Sequence, residues 1–486
     1  MKSFNEIYIL DLHGNSLKKE KCPDGSKDKN VFDIRQGVAI ALFVKKQGKK
    51  GCKVYHSERW GLRDKKYEWL QKNNIKKTKW KRLYPKSESY FFIPMDERLL
   101  KAYERFPKIT DIFPLNSVGI VTARDKLTIN WSTNEAWTTV QNFAKMDHEL
   151  ARIAYKLGKD ARDWKVELAQ KDLLDGGLDK SKIVPILYRP FDTRYTYYTG
   201  KSRGFHCMPR PEVMRHMLNK NLAIMTPKQS KETPGAFVTQ NITGHKTVSV
   251  YDINYIFPLY LYPKKDNPQK QSSGSTLMLF EPPAEYSSKT PNQSPNIVNH
   301  LIKSFGKKTP TPEEIFFYVY AILYANIYRT KYAEFLKSDF PRVPFTKNPK
   351  LFWDMANHGE RLTQLHLLQS SELNPPIAKS RGKGDNNIEK LKYDEKEKRV
   401  YFNQSQYFEG ITKDMWEYQI GGYQVCNKWL KDRKGRELSA NDIKHYCRIA
   451  TAIQKTIDIQ KKIDRIYPDV EKDMVMFDEN CGVLLP

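Results

Sequence analysis

Cysteine is scarce and scattered in this sequence: Cys22, Cys52, Cys207, Cys426, Cys447 and Cys481 are all it has in 486 residues. No Cys-x-x-Cys pair and no Cys/His grouping occurs, so neither a metal centre nor a disulfide framework is expected. The cytoplasm is therefore the default compartment. Long apolar runs are lacking as well. The longest, residues 315–327, falls far short of the ~20 residues that span a bilayer and has the length of a buried helix. The charged, strand-like start after Met1 is unlike a secretory leader, and no membrane association is expected. Also missing are a Walker A loop, helicase motifs and a carboxylate-plus-lysine nuclease centre. Acidic residues are in deficit: 56 Asp and Glu stand against 83 Lys and Arg, for a net charge of +27.

That surplus of positive charge favours a polyanionic partner, with nucleic acid ahead of an anionic membrane or simple solubility. A 39% hydrophobic and 12% aromatic content supplies cores for two or three domains. Glu6-Ile7-Tyr8-Ile9-Leu10 reads as a strand, and residues 38–44 form a continuous apolar run of strand length. Such a run predicts a strand buried on both faces, as in the sheet of an α/β domain. No complete α/β domain fits before the composition changes, so the sequence reads as opening in mid-fold.

From residue 57 to 86 basic and aromatic residues interleave, as in Lys79-Trp80-Lys81-Arg82-Leu83-Tyr84. The pattern suits phosphate contact with base stacking, or equally a solvated amphipathic face. Leu150, Ile153, Ala154 and Leu157 recur at helical spacing and predict a core stripe, in a helical stretch from about Asp147 to a stop at Gly176-Gly177. Two polar stretches, residues 264–296 and 371–399, read as loops or linkers. Ser439 with Asp442 resembles a capping box. Ile443, Tyr446, Ala450, Ile453 and Ile457 then give one apolar stripe of a helix expected to stop at Pro468.

Several ordered motifs carry a family resemblance. Asp11-Leu12-His13-Gly14-Asn15 and Asn30-Val31-Phe32-Asp33-Ile34-Arg35-Gln36-Gly37-Val38 resemble the last strands of the adenine-N6 methyltransferase domain in type ISP restriction-modification enzymes. Tyr188-Arg189-Pro190-Phe191-Asp192-Thr193-Arg194-Tyr195 looks like the signature of their C-terminal specificity, or target recognition, domain. Asp339-Phe340-Pro341-Arg342-Val343-Pro344 and Gly421-Gly422-Tyr423-Gln424-Val425 follow in the family's order. Each motif alone has a bland reading as core packing; their shared order identifies the family.

The resemblance implies an α/β fold class: a partial methyltransferase sheet at residues 1–60, a basic helical connecting region at 61–180, and a mixed α+β target recognition domain with C-terminal helices at 181–486. It implies double-stranded DNA as ligand. A methyltransferase or nuclease-helicase polypeptide would complete the N-terminal sheet. Adenine-N6 methylation needs a glycine-rich turn for S-adenosylmethionine and an Asn/Asp-Pro-Pro-aromatic tetrad for the extruded base. Neither is found, so no catalytic residue is assigned, no cofactor is expected on this chain alone, and S-adenosylmethionine belongs to the assembled enzyme. Asn374-Pro375-Pro376-Ile377 carries the triplet, but its Ile offers no face for adenine and turn propensity accounts for it.

Phe32 aligns in context with the aromatic that stacks on a flipped adenine; otherwise it is a core residue at a strand start. For reading DNA, the basic and aromatic residues about the signature are the candidates: Arg189, Arg194, Tyr195, Lys201, Arg203, Arg210 and Arg215. Gln229 follows, with Gln240, Asn241 and His245 beside it. Arginine can address guanine in bidentate fashion, and each of these can instead clamp phosphate or serve the fold, Arg189 through a buried ion pair. The expected function is sequence-specific recognition that directs methylation and restriction by a partner. Alternatives are a methyltransferase working through a remnant pocket, a non-enzymatic basic nucleic-acid-binding protein, and a decayed fragment.

Overall fold

The computed structural model describes residues 3–16, 20–85, 92–94, 96–230, 234–263, 289–306 and 308–477. The chain divides into two units, residues 1–102 and residues 103–486. Among the described residues no helix is long and apolar enough to cross a membrane. The five described cysteines are free thiols.

The first unit is built on a four-stranded sheet. Glu6–Asp11 pairs antiparallel with Ala39–Val44 on one side and parallel with Lys53–Glu58 on the other, and Lys81–Leu83 closes the far edge. Ile7, Val54 and Leu83 form one small core; Leu10, Leu12 and Val31 form another, covered by Trp69, Leu70 and Trp80. Trp80 is thus packing rather than a free stacking platform, and its ring meets Tyr8 edge-on at 5.1 Å.

The apolar run at 38–44 does not lie between two covered faces. Ala39–Val44 is an outer strand, and Ile40, Leu42 and Phe43 are exposed. Hydrophobicity alone predicted burial. The strand instead has a partner on one side only, and although the Phe4 ring lies 5.1 Å from that of Phe43, most of its side chains stay exposed.

The second unit combines small sheets with helices, in keeping with the expected mixed fold. Ile183–Arg189 and Asp192–Tyr197 form a hairpin that Ile242–Thr243 extends. A second sheet runs in the order Ser117–Val118, Asn254–Pro258, Ala223–Pro227, Phe237–Thr239. Most of the apolar run of residues 315–327 lies in a buried helix, Pro312–Tyr324, with Thr311 and Glu314 as a reciprocal capping box, and its end enters the next helix, Asn326–Lys331. It crosses Pro349–His366 so closely that a Cβ at Gly359 would fall 1.8 Å from the Phe317 carbonyl oxygen. Only glycine permits that approach. Ala440–Val470 packs against both.

Three expectations need correction. The stretch after Asp147 is two helices, His148–Ala154 and Val166–Asp175, because the chain turns back through the positive φ of Lys156 and Gly158. Leu157 is buried, but Leu150, Ile153 and Ala154 lie on the solvent side. The polar stretch from 371 is not a linker: Lys379–Arg381 and Lys392–Asp394 belong to a four-stranded antiparallel sheet with Arg399–Tyr401 and Tyr407–Glu409. The buried Gln406 amide holds the adjoining turn, accepting from the Asn386 backbone at 2.9 Å and donating to its side chain at 2.7 Å. Finally, the long helix runs past Pro468 to Val470, since a proline in the last turn forfeits one hydrogen bond without a following helix to break. Most of the polar stretch 264–296 lies outside the described residues; Pro295–Phe305 is helical.

Candidate nucleic-acid interface

The signature sits on a hairpin, and its centre faces inward. Pro190 and Phe191 make the turn, Phe191 at a φ of 62°. This delivers Asp192 to the interior, where its carboxylate accepts from Arg194 at 2.9 Å and from Arg433 at 2.8 Å. Burial pushes the Asp192 carboxyl up, but the charges of Arg433 and Arg194 outweigh it and hold the group below the usual range. Aromatic faces sandwich the guanidinium groups. Arg194 lies 3.7 Å from the Trp131 ring and 4.0 Å from Tyr188, while Arg433 lies 3.5 Å from Trp429. Such cation–π contacts gain strength where water is excluded.

The structure therefore separates the candidates that sequence had grouped. Arg194 is 8% exposed and committed to Asp192, so the expected DNA contact has no surface there. Arg189 donates to the carbonyls of Tyr188 and Lys246 and lies over the Tyr188 and Tyr423 rings, a role in the fold made through carbonyls and aromatic faces in place of the expected ion pair. Tyr195 is half-buried, its backbone paired with Asn130. Arg210 precedes the helix Pro211–Met217 in a left-handed conformation, its side chain on Met208. Arg215 donates to the Tyr262 carbonyl at 2.6 Å. Lys201, Arg203 and Gln229 are exposed; Lys201 reaches Asp175 at 3.2 Å, and Arg203 is 3.9 Å from Asp163. Gln240 accepts from Gln369 at 2.9 Å. Asn241 is half-buried, its backbone N–H on the Thr239 hydroxyl. His245 is bonded to the Ile120 carbonyl, and burial lowers its imidazole pKa.

Two separated motifs nevertheless meet at one loop, residues 244–253. The Lys246 carbonyl accepts from Arg189 at 3.2 Å and from the Tyr423 hydroxyl at 3.1 Å. Gly421, at a φ of 56°, lies so close to the Val248 carbonyl that a Cβ would come within 1.9 Å of its oxygen. On its other side Gly235 approaches the Gly421 backbone. Thr247 is held by Leu187 and Asn254. Sequence order identified these motifs but gave no sign of their convergence. Trp131 and Arg433, which complete the ion-pair core, carried no signal beyond residue type.

In the first unit, Asn30–Asp33 form a pinned bend. Arg63 donates to the Asn30 carbonyl at 2.9 Å and pairs with Asp33 at 2.7 Å. The fully buried Lys66 pairs with Asp28 at 2.7 Å and donates to the Leu12 and Lys29 carbonyls. Tyr67 donates to the Val31 carbonyl. These three side chains share one face of the helix Arg63–Lys72, at the i, i+3, i+4 spacing. Phe32, by contrast, is 55% exposed, at the edge of a concavity of about 510 Å³ lined also by Gly14, Asn30, Asp33 and Ile34. It is not the core phenylalanine of the bland alternative.

Among the described residues no group of three or more His, Cys, Asp or Glu could hold a metal ion. Asn374-Pro375-Pro376-Ile377 connects the turn Ser371–Leu373 to the strand Lys379–Arg381. The Ile377 N–H donates to Thr451, and no aromatic ring occupies the fourth position.

Comparison with known proteins places this architecture. A family model described as "Type ISP C-terminal specificity domain" matches residues 111–462. No curated protein matches the sequence. Among solved structures, a nuclease-deletion mutant of the Type ISP restriction-modification enzyme LlaGI in complex with a DNA substrate mimic is similar, with a TM-score of 0.66 at 18% identity. That match covers 95% of this chain and 37% of that one. The DrdV–DNA complex aligns at a TM-score of 0.68 and 20% identity, over 94% of this chain and 48% of that one. The ATP-dependent Type ISP enzyme LlaBIII bound to DNA aligns at 0.69 and 16%, over 95% and 31%. The chain thus spans less than half the length of each of these proteins, and the likeness is one of fold.

Proposed function

We propose, for a chain that belongs to the family of Type ISP C-terminal specificity domains, that it is the sequence-specific DNA-recognition part of a restriction-modification system. The observation that carries this reading is the family match over residues 111–462, on a fold shared with proteins solved on DNA. The net charge of +27 supplies the phosphate affinity that such a task requires. The exposed Lys201, Arg203 and Gln229 are the members of the candidate group whose surface placement leaves them free to approach a duplex. The cytoplasm, where DNA is accessible, is its place of work.

The catalytic machinery is supplied by a methyltransferase polypeptide that extends the first unit's sheet along Ala39–Val44, whose apolar side chains lie exposed on an outer strand. S-adenosylmethionine is assigned to that partner because this sequence has neither a glycine-rich strand-to-helix turn nor an Asn/Asp-Pro-Pro-aromatic tetrad to hold it and the base. In the assembled enzyme the partner binds the methyl donor, and Phe32 stacks on the extruded adenine.

The test is to map N6-methyladenine on genomic DNA after incubation with labelled S-adenosylmethionine and the chain, with and without a methyltransferase polypeptide of the same system. Methylation of one defined motif only when both are present is the expected result. Methylation by the chain alone would refute the division of labour, and equal binding to scrambled duplexes and RNA would favour a basic protein without specificity.

A further inference from the structure

The loop 244–253 leaves one sheet at Ile242–Thr243 and enters the other at Asn254–Pro258. Its root is held by Arg189, Tyr423 and Gly421. Its tip is organised separately. The Ser249 hydroxyl accepts from the Tyr251 N–H at 3.2 Å and the Asp252 N–H at 3.0 Å, and donates to the Asp252 carboxylate at 3.1 Å. Ser230, from the neighbouring turn, approaches the same carboxylate at 3.5 Å. Asp252 is thereby turned inward and buried, while Val250, Tyr251 and Ile253 are 45%, 47% and 47% exposed.

This inverts the ordinary surface arrangement, in which the charged residue of a turn faces water and the apolar ones are covered. A frame tied by these hydrogen bonds presents three apolar side chains, one of them aromatic, and a tip restrained in this way has less conformational entropy to lose on contact.

Basic and polar residues flank the tip. Lys246 is exposed in the same loop. The pairing of Asn254 with Pro227 brings the exposed Lys228 and Gln229 to the adjoining strand end. Apolar side chains among phosphate-seeking lysines are the means by which proteins wedge between base steps or lie in a groove. We infer that the tip of loop 244–253 is a DNA-contacting wedge in which Tyr251, flanked by Val250 and Ile253, packs against the bases of a bound duplex. The signature motifs of the second unit then serve recognition indirectly, by holding the frame of this loop. The inference rests on the reading that the chain recognises DNA and adds the element that does so.

The experiment uses the full chain and a pool of randomised duplexes. Selection by the wild-type protein identifies an enriched sequence, and the affinity of Tyr251→Ala for that duplex is then measured by fluorescence anisotropy over a range of salt. Tyr251 is exposed, so the variant folds, which circular dichroism checks. Loss of one stacked ring weakens binding by about 5- to 100-fold. The salt dependence stays that of the wild type, because no charge is removed. Lys246→Ala does the opposite: it lowers the salt slope by about one and leaves sequence preference intact. Enrichment of a sequence that Tyr251→Ala binds as tightly as wild type overturns the wedge alone. Failure of the wild type to enrich any sequence overturns DNA recognition and the wedge with it.

Discussion

Arg433 donates to Asp192 at 2.8 Å across 241 positions of sequence, with both side chains buried. Arg194 takes the other carboxylate oxygen. One carboxylate thus bridges two guanidinium groups packed on aromatic rings, with Asp442 a second, more distant acidic neighbour of Arg433 at 3.9 Å. The signature aspartate is the keystone of the second unit, joining the hairpin to the segment that precedes the long C-terminal helix.

Asp192→Asn keeps the shape and removes the charge, so buried Arg194 loses its carboxylate partner and Arg433 keeps the more distant Asp442 at 3.9 Å. The expected cost is about 3–5 kcal/mol, the usual consequence of breaking a buried pair from one side. Urea denaturation should show a lower midpoint at an unchanged m-value. The Asp192 carboxyl titrates below its usual range, so its contribution is present above the unfolded-state value and is lost as pH falls through the lowered folded value. The variant should therefore lose less stability than wild type on acidification.

Arg194→Ala and Arg203→Ala separate fold from contact. The first removes a buried ion-pair partner and should cost on the order of 3 kcal/mol in the same assay. The second removes an exposed cation, leaves stability within ~0.5 kcal/mol, and should reduce the salt slope of duplex binding by about one. The reverse pattern would return Arg194 to the interface.

His366 gives the protein a second acid sensitivity. Thr456 donates its hydroxyl to the Ala452 carbonyl, so it must accept from His366 Nε2, and Tyr320 then donates to His366 Nδ1 at 2.6 Å. The imidazole is neutral, and burial pulls its pKa down to about 3. The unfolded chain binds this proton near pH ~6.5, so stability falls as pH drops from there toward the folded value. His206, lowered by burial to about 4, acts in the same direction. Urea midpoints at pH 7 and pH 5 should differ, and His366→Gln should narrow the gap; an equal gap in both proteins would show that other groups carry it.

Phe32→Ala should leave folding unchanged within ~0.5 kcal/mol, because the ring is exposed. With the methyltransferase polypeptide present it should slow adenine methylation by about 5- to 100-fold, the value of one lost stacking face. A matching loss in Phe32→Tyr, which retains that face, would point to a different role.

Much of this architecture was legible in the sequence, and the failures have identifiable causes. Capping at Ser439, the apolar face of the long helix and the apolar run at 315–327 are local signals, and they located helices correctly. The family was readable from motif order. What local pattern lacks is the partner: residues 38–44 predict burial, yet whether a face is covered depends on chain that packs elsewhere. The same limit explains Arg189 and Arg194, whose type suggested DNA until Asp192, Tyr423 and Arg433 were placed around them. Leu150 and Ile153 repeat at helical spacing, but the helix ends within seven residues and its stripe never meets a core.

The outer strand Ala39–Val44 bears on how the protein can be handled. Its six residues, Ala-Ile-Ala-Leu-Phe-Val, are uncharged, contain neither Pro nor Gly, and present an edge to solvent. That composition on an edge is a template for strand addition by another copy. Lys45 directly after it, with Lys49 and Lys50 beyond, acts as a gatekeeper that opposes stacking through like charge, whereas Lys46 is paired with Glu6 at 2.6 Å. High salt, which weakens nonspecific DNA binding during purification, also screens those lysines. Concentrated stocks freed of DNA by salt are therefore the condition in which this chain should aggregate.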